Sequence, residues 1–162
     1  MTPADQQIAF IGAGNVATHM AKALRNAGMK IKAVYSHTLA SAQTLAAEVE
    51  ADAIDDIADL PEANIFVYCV KDDVLPEIAA INSLRFPNAL HIHTSGSTPA
   101  NVFLNQWHGV IYPMQTFSKN AALNFSEVRC YIEGSNRQSL KMIDNLARSL
   151  TSHVSELNTE AR

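Results

Sequence analysis

The sequence predicts an α/β fold in which a doubly wound, mostly parallel sheet lies between two layers of helices, a three-layer α/β/α arrangement. Strand-like and helix-like segments alternate along the chain, which is typical of parallel sheets covered on both faces by their crossover helices. Residues 65–70 are continuously apolar, as a central strand of such a sheet must be. A glycine-rich turn between the first strand and the first helix is the third observation.

The composition fits one globular domain. The chain has 162 residues, of which 48% are hydrophobic and 17% charged, so it can bury a sizeable core and is not disordered. A net charge of −4 without a lysine or arginine cluster argues against a nucleic-acid partner. Cys69 and Cys130 form no close-spaced motif and are expected to be buried, reduced thiols of a cytoplasmic protein. The first residues lack a signal-peptide pattern, and the apolar runs are too short to cross a membrane.

The strands follow from short apolar runs bounded by turn residues. In chain order they are predicted at residues 8–11, 31–35, 65–70, 89–93, 109–112, 129–133 and, as a final edge strand, 154–157.

The helices follow from apolar residues at helical spacing and from their end signals. The first is predicted from the glycine turn to Gly28, the second over residues 41–49, and the last from a cap at Ser135 or Asn136 to about residue 150. A short connecting helix is predicted over residues 55–60. The remaining signals are a cap at Asp72 or Asp73 with Pro76 in the first turn that follows, and a short helix opened by Thr98 and Pro99.

The glycine-rich turn has the pattern Gly-x-Gly-x-x-Ala, formed by Gly12, Gly14 and Ala17. Gly12 allows the tight turn, Gly14 lets a diphosphate approach the backbone, and Ala17 lets the helix pack close to the sheet. The first helical residues, Asn15 and Val16, would present free N–H groups to the phosphates, helped by the helix dipole. We interpret the pattern as a dinucleotide site; an ordinary tight strand–helix turn is the alternative.

Ligands of such sheets bind beyond the carboxyl ends of the strands, where the strand order reverses. The loops predicted to border the ligand are residues 12–16, 36–38, 71–74, 94–97 and 113–117. From the later loops, the residues predicted to bind the cofactor are Val70, Lys71, Val74, Thr94 and Ser95.

The loop after the second strand reads Tyr35-Ser36-His37-Thr38 and contains no acid. An NAD site usually places Asp or Glu there to bind the ribose, and that carboxylate would repel a 2′-phosphate. Ser36, His37 and Thr38 can instead donate hydrogen bonds to such a phosphate. NADP is therefore predicted over NAD, although an ordinary polar loop has the same composition. The missing acid also counts against an S-adenosylmethionine methyltransferase, which shares the glycine turn.

Three further stretches carry a resemblance to a known family. They are Tyr-Cys-Val-Lys-Asp-Asp at 68–73, His-Thr-Ser-Gly-Ser at 93–97 and Tyr-Pro-Met-Gln-Thr-Phe at 112–117. With the glycine turn they resemble the bacterial Rossmann-like oxidoreductases that carry a C-terminal domain of unknown function. That family is similar to pyrroline-5-carboxylate reductase and to the deazaflavin-dependent NADP oxidoreductases, and the Tyr-Pro-Met turn resembles the His-Pro-Met turn of prephenate dehydrogenases. The resemblance covers nearly the whole chain and implies a Rossmann fold with NAD(P).

The chain departs from this family in two places. Family members often carry Arg where this chain has His37, and they usually continue as a helical domain that pairs the subunits and forms one wall of the substrate pocket. The resemblance therefore assigns residues 1–157 to the dinucleotide-binding domain and 158–162 to the start of the C-terminal helical domain. It also implies a small-molecule substrate, and a homodimer where the helical domain is present.

Ser95 is the candidate catalytic residue. It follows a strand at the carboxyl edge, and related hydroxyacid dehydrogenases place a serine there, facing the nicotinamide and the substrate. Its hydroxyl could orient a carbonyl, carboxylate or imine for hydride transfer. The alternative is a turn or cap serine, because Gly-Ser-Thr-Pro follows it.

The other polar candidates have simpler interpretations. His91 and His93 face the same side of one strand, but no third ligand is evident nearby, so no metal is predicted. His93 is better interpreted as a packed, hydrogen-bonded histidine close to the nicotinamide end. Tyr112 and Gln115 could line the substrate pocket. Lys71 is a possible acid, but its loop usually offers backbone to the cofactor, and His19 is expected at the surface.

These observations favour an NADP-dependent oxidoreductase, or its isolated cofactor domain, that acts on a small carbonyl, imine or hydroxyacid. A non-catalytic nucleotide-binding or regulatory module is the alternative, and a methyltransferase is a third possibility.

Overall fold

The computed structural model describes residues 5–118, 123–158 and 160–161. In this part of the chain the helices are α1 (Asn15–Asn26), α2 (Leu39–Val49), α3 (Leu75–Arg85) and α4 (Arg137–Leu150). The strands are β1 (Gln7–Ile11), β2 (Lys30–Tyr35), β3 (Asp52–Ile54), β4 (Ile65–Tyr68), β5 (Leu90–His93), β6 (His108–Pro113), β7 (Cys130–Gly134) and β8 (Val154–Glu156).

The strands form one sheet in the order β3-β2-β1-β4-β5-β6-β7-β8. The first six strands along the chain pair in parallel, β7 is antiparallel to β6, and β8 is parallel to β7. The predicted doubly wound, mostly parallel sheet is confirmed. The strand order reverses between β1 and β4, which is where a sheet of this kind offers a crevice for a ligand.

The two faces of the sheet carry separate cores. One face packs against α1, α2 and α4 through residues such as Met20, Leu45 and Ile143. The other face packs against α3 and a 3-10 turn (Ala100–Val102), with Leu75 and Phe103 among its buried residues. The strand between them, β4, is buried at all four positions. Its continuous apolar sequence is explained by helices on both sides.

The region after α2 differs from the prediction. Residues 55–60, predicted as a short helix, contain a 3-10 turn (Ile57–Asp59), and the edge strand β3 precedes them. Asp56 begins the turn by accepting a hydrogen bond from the N–H of Ala58 at 2.9 Å. The sequence does not predict β3, because a strand of three partly exposed residues has no recognisable apolar pattern.

The start of α3 also differs. The predicted aspartate cap is wrong, because the helix begins at Leu75 and the preceding residue is Val74. Asp72 instead accepts a hydrogen bond from the Ser97 hydroxyl at 2.9 Å. The proline expected in the first turn, Pro76, is there.

The predicted cap of α4 is confirmed at Asn136, whose side-chain oxygen accepts a hydrogen bond from the N–H of Ser139 at 2.8 Å. None of the helices in the described part of the chain has the length and apolar content that crossing a membrane requires.

Candidate functional site

A groove of about 630 Å³ opens at the carboxyl ends of β1, β2 and β4. It therefore lies at the point where the strand order reverses. Its lining comes from the three loops that follow those strands and from the first turns of α2 and α3. The residues are Gly12, Ala13, Gly14, Tyr35, Ser36, His37, Thr38, Ser41, Cys69, Val70, Lys71, Asp73, Val74 and Ile78.

Gly12 makes the turn out of β1. Its φ of +117° lies in the region that favours glycine, and its N–H donates to the carbonyl of Tyr35 at 2.8 Å. A Cβ at this position would lie 2.4 Å from the carbonyl oxygen of Cys69. No side chain fits here, because the turn passes directly against the end of β4.

Gly14 faces open space. A Cβ built on it would meet no atom within 4 Å. Helix α1 starts at the next residue, its first turn carries no acid, and its N-terminal hydrogen bond runs from the N–H of Thr18 to the carbonyl of Gly14 at 3.0 Å. The N–H groups before Thr18 have no partner within the helix, so they and the helix dipole suit a diphosphate. Ala17, fully buried, lets the helix lie close to the sheet.

The loop after β2 forms the other end of the groove. His37 and Thr38 are exposed, and the Ser36 hydroxyl accepts a hydrogen bond from the N–H of Thr38 at 3.2 Å. Ser41, in the first turn of α2, adds another hydroxyl to the lining. The acid in the groove lining, Asp73, comes from the loop after β4, so the side chains of the β2 loop present donors without a carboxylate.

Four of the residues predicted to bind the cofactor lie outside this lining. The Asn15 amide nitrogen donates to the carbonyl of Phe117 at 3.0 Å, and Val16 packs against the core of the α1 face. The Thr94 hydroxyl donates to the carbonyl of Tyr68 at 3.3 Å. Contact between the cofactor and Asn15, Val16, Thr94 or Ser95 stays a prediction.

Ser95 is held in a hydrogen-bonded turn. Its hydroxyl oxygen accepts from the N–H of Ser97 at 3.1 Å and of Thr98 at 3.0 Å, and the hydroxyl is 3.0 Å from the Thr98 oxygen, to which it donates. This is the geometry of the turn serine that the sequence left open. A substrate could bind the hydroxyl only by replacing the bond to Thr98.

The two histidines of β5 are fully buried, and their hydrogen bonds fix them as structural groups. His91 donates from Nε2 to the carbonyl of Phe86 at 2.8 Å and accepts at Nδ1 from the Tyr68 hydroxyl at 2.7 Å. Burial lowers the pKa of His91 to about 4, so its ring is neutral. Burial also raises the pKa of the Tyr68 hydroxyl above its usual range.

His93, two residues further along β5, also makes one hydrogen bond through each ring nitrogen. Its Nε2 donates to the carbonyl of Pro99 at 3.1 Å, and its Nδ1 accepts from the N–H of Ser95 at 3.1 Å. The expectation of a hydrogen-bonded histidine is confirmed. In the described ranges, no three His, Cys, Asp or Glu side chains come together as metal ligands could.

The remaining candidates are Tyr112, Gln115, Lys71 and His19. A Cβ on Gly96 would lie 2.7 Å from the ring of Tyr112, so the aromatic ring packs against the loop after β5. Gln115 is exposed, and so is Lys71 at the edge of the groove. His19 is half-buried rather than a free surface residue, because its Nε2 donates to the carbonyl of Ser118 and its ring lies 5.7 Å from that of Phe117.

Both cysteines are free thiols. Burial raises the pKa of each to about 12. Cys130 is buried as predicted, whereas Cys69, also predicted to be buried, is half-buried and borders the groove.

Six residues of the groove are not among those predicted to bind the cofactor, although Ala13 and Asp73 lie in loops predicted to border it. The six are Ala13, Tyr35, Ser41, Cys69, Asp73 and Ile78. Most of them adjoin residues that were predicted, so loop neighbourhood is the signal that could have found them. Ser41 and Ile78 lie in helices, and their place in the lining depends on how those helices pack.

The fold and the groove define a class, the Rossmann-like α/β proteins whose ligand crevice lies where the strand order reverses. The family of NADP oxidoreductases described as coenzyme F420-dependent matches residues 7–90. A solved structure from Bacteroides fragilis, provisionally named an NADP oxidoreductase, has 37% identity and a TM-score of 0.92, and the match covers 98% of this chain and 63% of that one. The chain therefore belongs to this Rossmann-like oxidoreductase family.

More distant structures share the fold alone. The prephenate dehydrogenase of A. aeolicus, solved with hydroxyphenyl propionate and NAD+, has 15% identity and a TM-score of 0.82 over 96% of this chain and 60% of that one. The (S)-3-hydroxybutyryl-CoA dehydrogenase of Ralstonia eutropha has 11% identity and a TM-score of 0.75 over 94% of this chain and 63% of that one. No curated protein matches the chain. The chain spans about three-fifths of the length of these solved relatives.

Proposed function

We propose that this chain is the cofactor-binding domain of an NADP-dependent oxidoreductase that transfers a hydride to or from a small carbonyl, imine or hydroxyacid substrate. One observation carries the proposal: the groove has an open glycine turn at one end and a loop of hydrogen-bond donors without a carboxylate at the other. The first end suits a diphosphate and the second suits a 2′-phosphate.

The residues of this chain would bind and orient the cofactor. The N–H groups at the start of α1 would hold the diphosphate, while Ser36, His37 and Thr38 would hold the phosphorylated ribose. The nicotinamide ring, when bound, supplies or accepts the hydride. The substrate would lie against the loops after β5 and β6, because both end at the same edge of the sheet as β1. There, the Ser95 hydroxyl would orient the substrate after releasing Thr98.

The relatives are longer than this chain, so we propose that residues 1–157 form the dinucleotide-binding domain and that 158–162 lead into a helical domain. That domain would complete the substrate pocket and pair two subunits. The free thiols of Cys69 and Cys130 suit a reducing compartment such as the cytoplasm.

The test is calorimetric titration of NADPH and NADH into the chain and into Gly14→Asp. We expect NADPH to bind more tightly than NADH. Gly14→Asp should abolish binding, because a carboxylate would occupy the space and repel the diphosphate. Circular dichroism checks that the variant is folded.

A second variant tests the choice between NADP and NAD. Ser36→Asp places a carboxylate where NAD sites have one, so NADPH affinity should fall by about tenfold or more while NADH affinity rises or stays unchanged. Ser152→Asp adds the same charge at an exposed position after α4 and should bind both cofactors as the unmodified chain does. Equal or tighter binding of NADH by the unmodified chain would contradict the proposed preference.

A non-catalytic nucleotide-binding module is the second candidate, favoured by the Ser95 hydroxyl being engaged in its own turn. Binding of NADPH without turnover of any carbonyl, imine or hydroxyacid substrate, in a longer chain that includes the helical domain, would support it.

A further inference from the structure

The loop after β6, residues 114–118, folds back onto the start of α1. The Asn15 amide donates to the carbonyl of Phe117 at 3.0 Å, and His19 donates to the carbonyl of Ser118. The Phe117 side chain, 9% exposed, packs with its ring 5.7 Å from that of His19 and 5.8 Å from that of Phe125. The loop is therefore fixed at this end by two hydrogen bonds and a buried ring.

The other end of the loop is fixed to β7, because the N–H of Met114 donates to the carbonyl of Arg129 at 2.9 Å. Between the two anchors, the side chains of Met114, Gln115 and Thr116 are exposed, and Met114 is 57% exposed. A thioether, an amide and a hydroxyl thus project at the edge of the sheet where the substrate of the proposed reaction would lie.

Asn15 belongs to both regions. It is the first residue of α1 and follows Gly14, so its backbone N–H is among those available to a diphosphate. Its side-chain amide donates to the carbonyl of Phe117. One residue therefore joins the diphosphate end of the groove to the loop at residues 114–118.

We infer that Asn15 is a positioning residue that transmits cofactor binding to the loop at residues 114–118. The inference rests on the proposed function. The Asn15 amide already holds the carbonyl of Phe117 in the structure. A diphosphate that binds the N–H of Asn15 restrains the first turn of α1 further, and this restraint reaches residues 114–118 through the Asn15 side chain, so the loop opens less often while the cofactor is bound.

Hydrogen exchange of the loop amides tests this inference without a known substrate. In the unmodified chain, NADPH should slow exchange at residues 115–118 by about fivefold, the ratio that one neutral hydrogen bond supports. Asn15→Ala should lose most of this slowing. Calorimetry first measures the NADPH affinity of each protein, and exchange is then compared at NADPH concentrations that saturate each one, so the comparison does not depend on how much affinity the variant retains.

Two further variants separate positioning from general destabilisation. Lys22→Ala removes a side chain of the same helix that pairs with Glu48 at 3.2 Å and does not touch the loop, so the slowing by NADPH should be unchanged. Asn15→Gln retains an amide donor and should restore part of the slowing. A merely structural role for Asn15 would speed exchange in the variant equally with and without NADPH.

The outcomes are distinguishable. If the unmodified chain binds NADPH and the loop exchanges at the same rate with and without it, the inference is overturned while the proposed function stands. If Asn15→Ala retains the full slowing, the inference is likewise overturned. If the unmodified chain does not bind NADPH, the proposed function fails, and this inference fails with it.

Discussion

At the scale of single residues, Gly12 and Gly14 belong to one motif but meet different physical demands. Gly12 has a positive φ, and any Cβ would strike the Cys69 carbonyl at 2.4 Å, whereas a Cβ on Gly14 would meet nothing within 4 Å. Gly12 is therefore required by the fold itself. Gly14 is required only when a ligand occupies the space beside it.

This difference predicts that the Gly12→Ala variant mainly loses stability and that the Gly14→Ala variant mainly loses cofactor affinity. Gly12→Ala should lower the free energy of unfolding by about 2–4 kcal/mol, since the positive φ and the clash with β4 both oppose the new side chain. Gly14→Ala should cost less than about 1 kcal/mol and yet weaken NADPH binding. Urea unfolding followed by Trp107 fluorescence measures the first effect, and calorimetry the second. A Gly12→Ala protein as stable as the unmodified chain would contradict this account.

The small residues of the turn were predictable from sequence because each fits a local need of the backbone for a tight turn or a close approach. The direction of a polar side chain was not. Asn15 bonds to Phe117, which is 102 residues away, and no local pattern records that contact. Ser95 is a third case. The sequence allows its hydroxyl to be either a substrate-binding group or a turn group, and the structure shows the hydrogen bonds of a turn serine.

At the scale of elements, prediction succeeded where a segment satisfies its own rules. Helix α4 has its apolar stripe and its cap in sequence, and β4 has its unbroken apolar run. It failed at β3, whose three residues are stabilised by pairing with β2 and not by a pattern of their own. It failed also at the start of α3. There the Asp72 carboxylate accepts a hydrogen bond from Ser97, in a loop 25 residues further along the chain, and does not cap the helix.

The cap of α4 gives a test at this scale. Asn136→Ala removes the acceptor of the Ser139 N–H, 2.8 Å away, and the donor to the Gln106 carbonyl at 2.9 Å, and the two losses together should lower the free energy of unfolding by about 1–2 kcal/mol. The same replacement at Asn145, exposed on the same helix, should leave stability unchanged or raise it by up to about 0.6 kcal/mol, because alanine has the higher helix propensity. Chemical denaturation of both variants checks the prediction, and equal changes in the two variants would show that neither bond of the Asn136 side chain contributes to stability.

At the scale of the whole molecule, the alternation of strands and helices predicts a parallel sheet because the crossover connection has one favourable hand. The alternation stops after β6, and β7 enters antiparallel to it. His91 and His108 lie in the sheet, outside the lining of the groove. His91, on β5, is fully buried, and His108, the first residue of β6, is half-buried.

These two histidines should make the stability of the whole protein depend on pH. Burial lowers the pKa of His91 from 6.5 to about 4, and it lowers the pKa of His108 as well. Between pH 6.5 and 4 the unfolded chain binds protons that the folded chain does not, so stability is fully present above pH 6.5 and is lost as the pH falls toward 4. The contribution of His91 amounts to about 3 kcal/mol over this interval.

The prediction is measured by urea unfolding at several pH values between 7.5 and 4.5. His91→Gln should be less stable at neutral pH, since it loses bonds to Tyr68 and Phe86, but its stability should fall less steeply as the pH is lowered. His153→Gln removes an exposed histidine and should show the slope of the unmodified chain. Carboxylates titrate in both proteins, so only the difference in slope reports on His91. Equal slopes in His91→Gln and the unmodified chain would mean that His91 is not held neutral by the fold.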